Sequence, residues 1–135
     1  MIIVHKYGGS SVATTEKILD IARYLGKVKD EGNEVVTVVS AMGKTTDGLI
    51  KLANEITENP DKREMDRLMS TGEQQTIALL SIALQSLGYP AISLTGRQAG
   101  IRTGGHHTKN RIEEIKYKKA SEGRENSNCC WISGS

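Results

Sequence analysis

Ile2-Ile3-Val4-His5-Lys6-Tyr7-Gly8-Gly9-Ser10-Ser11 carries an apolar run directly into a glycine pair and two hydroxyls. Residues 2 to 7 read as a strand, and residues 35 to 39 (Val-Val-Thr-Val-Val) form a second run rich in β-branched side chains. Neither alternates strictly, which predicts strands covered on both faces. Between them Ile18, Ile21, Ala22, Leu25 and Val28 recur at helical spacing. Thr14 or Thr15 is available as a cap, Glu16 sits near the positive end, and Gly32 stands where a helix would stop. A strand, helix, strand unit of this length requires a parallel, right-handed crossover.

The same reading extends outward from that unit. Leu49, Leu52, Ala53 and Ile56 share one face of a second helix that ends near Asn59-Pro60. From Met65 to Leu87 a longer helical region sets Ile77, Leu80, Ser81 and Leu84 on one stripe, widened by Leu79, Ile82, Ala83 and Leu87. Gly72 predicts a break in it. Gly88-Tyr89-Pro90 turns the chain into a short strand, Ala91 to Leu94, with a further short strand over Gly100 to Arg102. The fold class expected is α/β, an incomplete three-layer α/β/α sandwich with a mainly parallel sheet. Beyond residue 103 the pattern weakens, and Ile112 and Ile115 are the last spaced apolar residues.

Eighteen Lys plus Arg against sixteen Asp plus Glu leave a formal charge of +2 in 135 residues, too near neutral to imply a nucleic-acid partner. No apolar stretch approaches the roughly 20 residues needed to span a bilayer, and the N-terminal run is shorter than a signal-peptide core, so a cytoplasmic protein is expected. The cysteines, Cys129 and Cys130, are adjacent, a spacing that fits neither a disulfide framework nor a zinc site. His106-His107 have no accompanying carboxylate or cysteine at credible spacing, so no metal site is expected.

In an open parallel sheet, ligands bind beyond the carboxyl ends of the strands, which is where the glycines fall. Strand one runs into Lys6-Tyr7-Gly8-Gly9-Ser10-Ser11 and strand two into Ser40-Ala41-Met42-Gly43-Lys44-Thr45-Thr46. Backbone N–H groups of Gly8 and Gly9 can wrap phosphate oxygens, and a tight strand-to-helix turn explains the same pair. Lys6 adds a point charge suited to transferring phosphoryl oxygens. Gly43-Lys44-Thr45 is not the end of a Walker A motif, because position 38 holds Val38 where that motif needs glycine. Ser40, Thr45 and Thr46 serve either ligand or helix cap. Glu73, in Thr71-Gly72-Glu73, is either a cleft carboxylate or a helix-starting acid. Arg97 can hold a carboxylate bidentately or stand exposed.

Five segments in order, Lys6 to Val12, Val38 to Gly43, Thr45-Thr46-Asp47, Thr71-Gly72-Glu73 and Leu94 to Gly100, resemble the aspartokinase branch of the amino-acid kinase family. The resemblance covers residues 2 to 123 and implies an N-terminal part of that family's catalytic domain over 1–123. It implies phosphorylation of the aspartate side-chain carboxylate by ATP with Mg²⁺, the first step toward lysine, threonine and methionine. It assigns Lys6 to the phosphoryl group in flight, and Lys6, Tyr7, Gly8, Gly9 and Ser40 to the ATP phosphates. Thr46, Glu73 and Arg111 fall to the aspartate side, and the full-length family enzyme can be a homo-oligomer. An ionised carboxylate needs no strong general base, so positioning, Lys6 and Mg²⁺ carry the catalysis.

Residues 124–135 depart from the family, which continues with a buried strand, a nucleotide-binding half and usually regulatory domains. Codons compatible with Gly123 to Gly134, read one base later, give Glu-Gly-Lys-Ile-Val-Ile-Val-Ala-Gly-Phe-Gln, which resembles that strand. The tail is therefore expected to be the out-of-frame product of a shift near Gly123, aberrant or disordered. Two other functions stay open: a kinase acting on glutamate, acetylglutamate or carbamate, and a non-catalytic remnant. The chain on its own is expected to be inactive.

Overall fold

The computed structural model describes residues 1–95, 98, 101–104, 111–115 and 129–132. Strand β1 (Ile2–Tyr7) leads to helix α1 (Thr15–Asp30), then β2 (Glu34–Val39), α2 (Thr45–Ile56), α3 (Lys62–Ser86) and β3 (Ala91–Leu94). Strands β4 (Ile101–Gly104), β5 (Arg111–Ile115) and β6 (Cys129–Ile132) follow. The fold is α/β. β1 and β2 pair in parallel, with Lys6 opposite Val38 and Tyr7 opposite Val39.

Helix α1 forms as its spacing requires. Thr14 is the cap, its hydroxyl accepting from the Lys17 N–H at 3.2 Å, and Ile18, Ile21, Ala22, Leu25 and Val28 are all buried. They meet Ile77, Leu80, Ala83 and Leu84 of α3 and Val35 and Val39 of β2 in one core. Fully burying a side chain such as Leu25, Leu80 or Leu84 stabilises by about 1.5–3 kcal/mol each.

Four observations differ from the sequence reading. First, α3 runs unbroken through Gly72, which is buried inside it. Second, β2 does alternate, with Val35, Thr37 and Val39 buried toward the helices and Val36 and Val38 half-buried on the other face. On that face Val4 is 65% exposed and Ile92 42%, so the described residues build one helical layer of an incomplete sandwich. Third, Leu52 and Ile56 of α2 are 56% and 86% exposed, and only Leu49 and Ala53 of the expected face are half-buried.

Fourth, residues 124–135 are not without an element. Cys129–Ile132 forms β6, inserted between β2 and β3 and antiparallel to both, in a sheet ordered β1-β2-β6-β3. Cys-Cys-Trp-Ile is the only four-residue apolar run after Ile115. As a strand it satisfies backbone groups along the facing sides of β2 and β3 that would otherwise lack partners. Because β6 opposes both neighbours, β1, β2 and β3 all run the same way. Their carboxyl ends, at Tyr7, Val39 and Leu94, share one edge of the sheet. A separate ribbon pairs β4, which overlaps the short strand expected over Gly100 to Arg102, with an antiparallel β5 that the weak spacing of Ile112 and Ile115 did not predict.

Candidate functional site

Two of the expected strand-end loops meet at that edge. The Ser40 N–H donates to the Tyr7 carbonyl at 3.1 Å, and the Gly43 N–H to the Gly9 carbonyl at 3.0 Å. A Cβ on Gly9 would stand 3.0 Å from the Ala41 carbonyl oxygen, a rigid neighbour, so glycine at 9 is what lets the loops touch. Gly43 holds φ at +45°, in the left-handed region.

Gly8 differs from Gly9. It has no positive φ, is exposed, and a Cβ added to it would meet nothing within 4 Å. Neither packing nor backbone geometry calls for glycine there. The open space lies above a loop where, among the described residues, nothing accepts from the amides of Gly8, Gly9 or Ser10. Amides without such acceptors, in the connection that leads into α1, suit an anion.

Helix α3 closes the third side. A Cβ on Gly72 would be 3.0 Å from Ala41 Cβ and 3.2 Å from Thr45 Cγ2, so α3 presses directly on the turn after β2. The glycine read as a break is a point of close approach, and the signal was available, since a glycine inside a helical stripe marks either. Glu73 therefore sits half-buried in mid-helix next to this contact, not at a helix start.

The other expected residues are placed as follows. Lys6 is exposed on the face opposite the helices, one residue before the loop. The Tyr7 ring packs against the core and stacks on His5 with centroids 6.2 Å apart, so at the loop Tyr7 offers backbone only. Burial pushes its phenol above the ordinary value, and the neighbouring Tyr24 adds to the shift. Ser40 is half-buried. Neither Thr45 nor Thr46 caps α2: the cap is Lys44, without a side-chain bond, and the threonines are the first two helical residues. Arg111 opens β5 opposite Gly104, in the separate ribbon, and that pairing does not join it to the loop cluster. Its side chain, Arg97 and His106-His107 lie outside the described residues. Among the described residues no group of three or more His, Cys, Asp or Glu is arranged to hold a metal, and no helix is long and apolar enough to cross a membrane.

Residues 1–134 match the sequence pattern of the amino acid kinase family. This chain belongs to the amino acid kinase family. It is 49% identical over 133 residues to aspartokinase 2 of Bacillus subtilis, covering 98% of this chain and 33% of that protein. It is 54% identical over 114 residues to the aspartokinase of Geobacillus stearothermophilus, covering 84% and 28% respectively. The crystal structure of aspartate kinase from Synechocystis superposes with a TM-score of 0.72 at 56% identity, over 75% of this chain and 17% of that one. This amino acid kinase chain thus spans about a third or less of the length of these relatives.

Proposed function

We propose that the protein acts as an aspartate kinase, with the Gly8-Gly9 and Ser40–Thr46 loops holding the ATP polyphosphate. The observation that carries this is Gly8: an exposed glycine that the fold does not require, in a loop whose amides find no acceptor among the described residues and whose Gly9 bonds the second loop. The identity to aspartokinases supports aspartate as the acid phosphorylated. In the reaction an aspartate carboxylate oxygen bonds to the γ-phosphorus while the bond from that phosphorus to the bridging oxygen breaks, leaving ADP and an acyl phosphate. The amides of Gly8 and Gly9 orient the polyphosphate, and Lys6 offsets charge on the transferring group.

Thr46, at the end of the second loop, and Glu73, next to the Gly72 contact with that loop, would orient aspartate, with Glu73 facing its ammonium. Arg111 would hold a substrate carboxylate from the β4–β5 ribbon. Mg²⁺, which takes much of its coordination from phosphate oxygens and water, supplies charge neutralisation when bound.

The test is a chimera in which this chain replaces the matching segment of Bacillus subtilis aspartokinase 2. ADP release and hydroxamate trapping of acyl phosphate are measured with aspartate, glutamate, acetylglutamate or carbamate. Aspartate-dependent turnover that falls about 10²-fold or more in Lys6→Ala is expected. Turnover on another of these acids alone, or turnover indifferent to Lys6→Ala, refutes the reading.

A further inference from the structure

Lys17 stands in the first turn of α1, where the helix dipole disfavours a cation; Glu16 beside it follows the favourable pattern. Its ammonium has another engagement. Lys17 Nζ donates to the Ser10 carbonyl oxygen at 3.0 Å, reaching back seven residues, while its own N–H donates to Thr14 Oγ1 at 3.2 Å. One residue therefore ties the start of the β1–α1 connection to its end.

The choice of acceptor matters. The Gly8 carbonyl accepts from the Ser11 N–H at 3.1 Å, and the Gly9 carbonyl from the Gly43 N–H at 3.0 Å. With Ser10 held by Lys17, three successive carbonyl oxygens are engaged within the protein, while among the described residues nothing accepts from the amides of the same three residues. A loop that binds an anion needs this division, because a carbonyl swung toward a polyphosphate would repel it. Backbone secures the first two carbonyls, and a side chain alone secures the third.

We propose that Lys17 is a positioning residue that sets the polarity of the Gly8–Ser11 loop by holding the Ser10 carbonyl away from the anion side. The proposal deepens the phosphate-binding reading of that loop and rests on it. Lys17→Met keeps the aliphatic stem and removes the donor; Lys17→Arg restores a donor of similar reach. In the ¹⁵N-labelled chain, amide exchange at Ser11 and Gly43 is expected to speed up about three- to tenfold in Lys17→Met, with Leu25 and Leu80 unchanged, and to recover in Lys17→Arg. Affinity for Mg-ATP should fall by a similar factor and recover in the same variant. Unchanged loop exchange in Lys17→Met, equal acceleration at Leu25 and Leu80, or failure of Lys17→Arg to recover overturns the proposal. Absence of Mg-ATP binding by the unsubstituted chain speaks instead against the phosphate reading, and the exchange data still decide whether Lys17 holds the loop.

Discussion

Replacing Gly72 by alanine tests whether α3 is locked against the turn after β2. In an open helix interior, glycine to alanine gains about 0.5–1 kcal/mol, because glycine loses more backbone freedom on folding. At position 72 the new methyl would sit 3.0 Å from Ala41 Cβ, 3.2 Å from Thr45 Cγ2 and 3.5 Å from Leu49 Cδ1. Carbon pairs prefer about 3.5–4.0 Å, so two of the three contacts are compressed by several tenths of an ångström. Overpacking of this kind costs about 1–3 kcal/mol, which exceeds the propensity gain. Gly48 provides the internal control: it lies in α2 and an added Cβ meets nothing within 4 Å. Urea unfolding followed by far-ultraviolet circular dichroism should show Gly48→Ala stabilised and Gly72→Ala destabilised, the two differing by about 1–3 kcal/mol. Equal stabilisation of both variants would show that α3 does not press on that turn, and the placement of Glu73 beside the loops would fall with it.

Other consequences follow from named contacts. Gly26→Ala should destabilise despite its helix position, since a Cβ there would lie 2.6 Å from Tyr89 Cζ and 2.9 Å from its hydroxyl; in a Tyr89→Ala background the same change should cost little or nothing further in thermal denaturation. Tyr89 donates to Asp30 Oδ2 at 2.6 Å, and that bond, then burial and the Asp30 charge, raise its phenol above the ordinary 10.0. A raised folded value contributes stability that is complete below the ordinary value and lost as pH climbs through the folded one. Tyr89→Phe should therefore lower the melting temperature at neutral pH, with the gap closing in strongly alkaline buffer. Leu80→Ala, at 1% exposure in the core, should cost about 2–5 kcal/mol by urea titration.

Helix α1 was readable because five apolar residues, a threonine cap and a terminal glycine all agree on one local structure. β3 was readable from its bounding turn. Gly72 was misread because its local cost, about 1 kcal/mol against alanine, is a weak preference that tertiary contact with Ala41 and Thr45 overrides. β6 was hidden for a different reason: its partners are β2 and β3, far away in sequence, and nothing within Arg124 to Ser135 announces them. At the site, the two glycine loops and their adjacency were legible from strand-end placement alone. The inward turn of the Tyr7 ring follows from strand alternation, which a reading of both faces as covered had concealed. That the threonines start α2 without capping it depends on where the turn after Gly43 hands over to the helix, a matter of one residue that composition does not encode.

The central claim is that the Gly8-Gly9 and Ser40–Thr46 loops form one polyphosphate site whose open space is kept by Gly8. Titrating the ¹⁵N-labelled chain and its Gly8→Ala variant with Mg-ATP tests it most directly, with thermal unfolding run in parallel. Joint amide shifts at Gly8, Gly9 and Ser40 to Lys44, weakened about tenfold or more by a Gly8→Ala change that leaves the melting temperature within about 2 °C, are predicted. Shifts confined to other residues, no shifts at all, or equal affinity in the variant would contradict it.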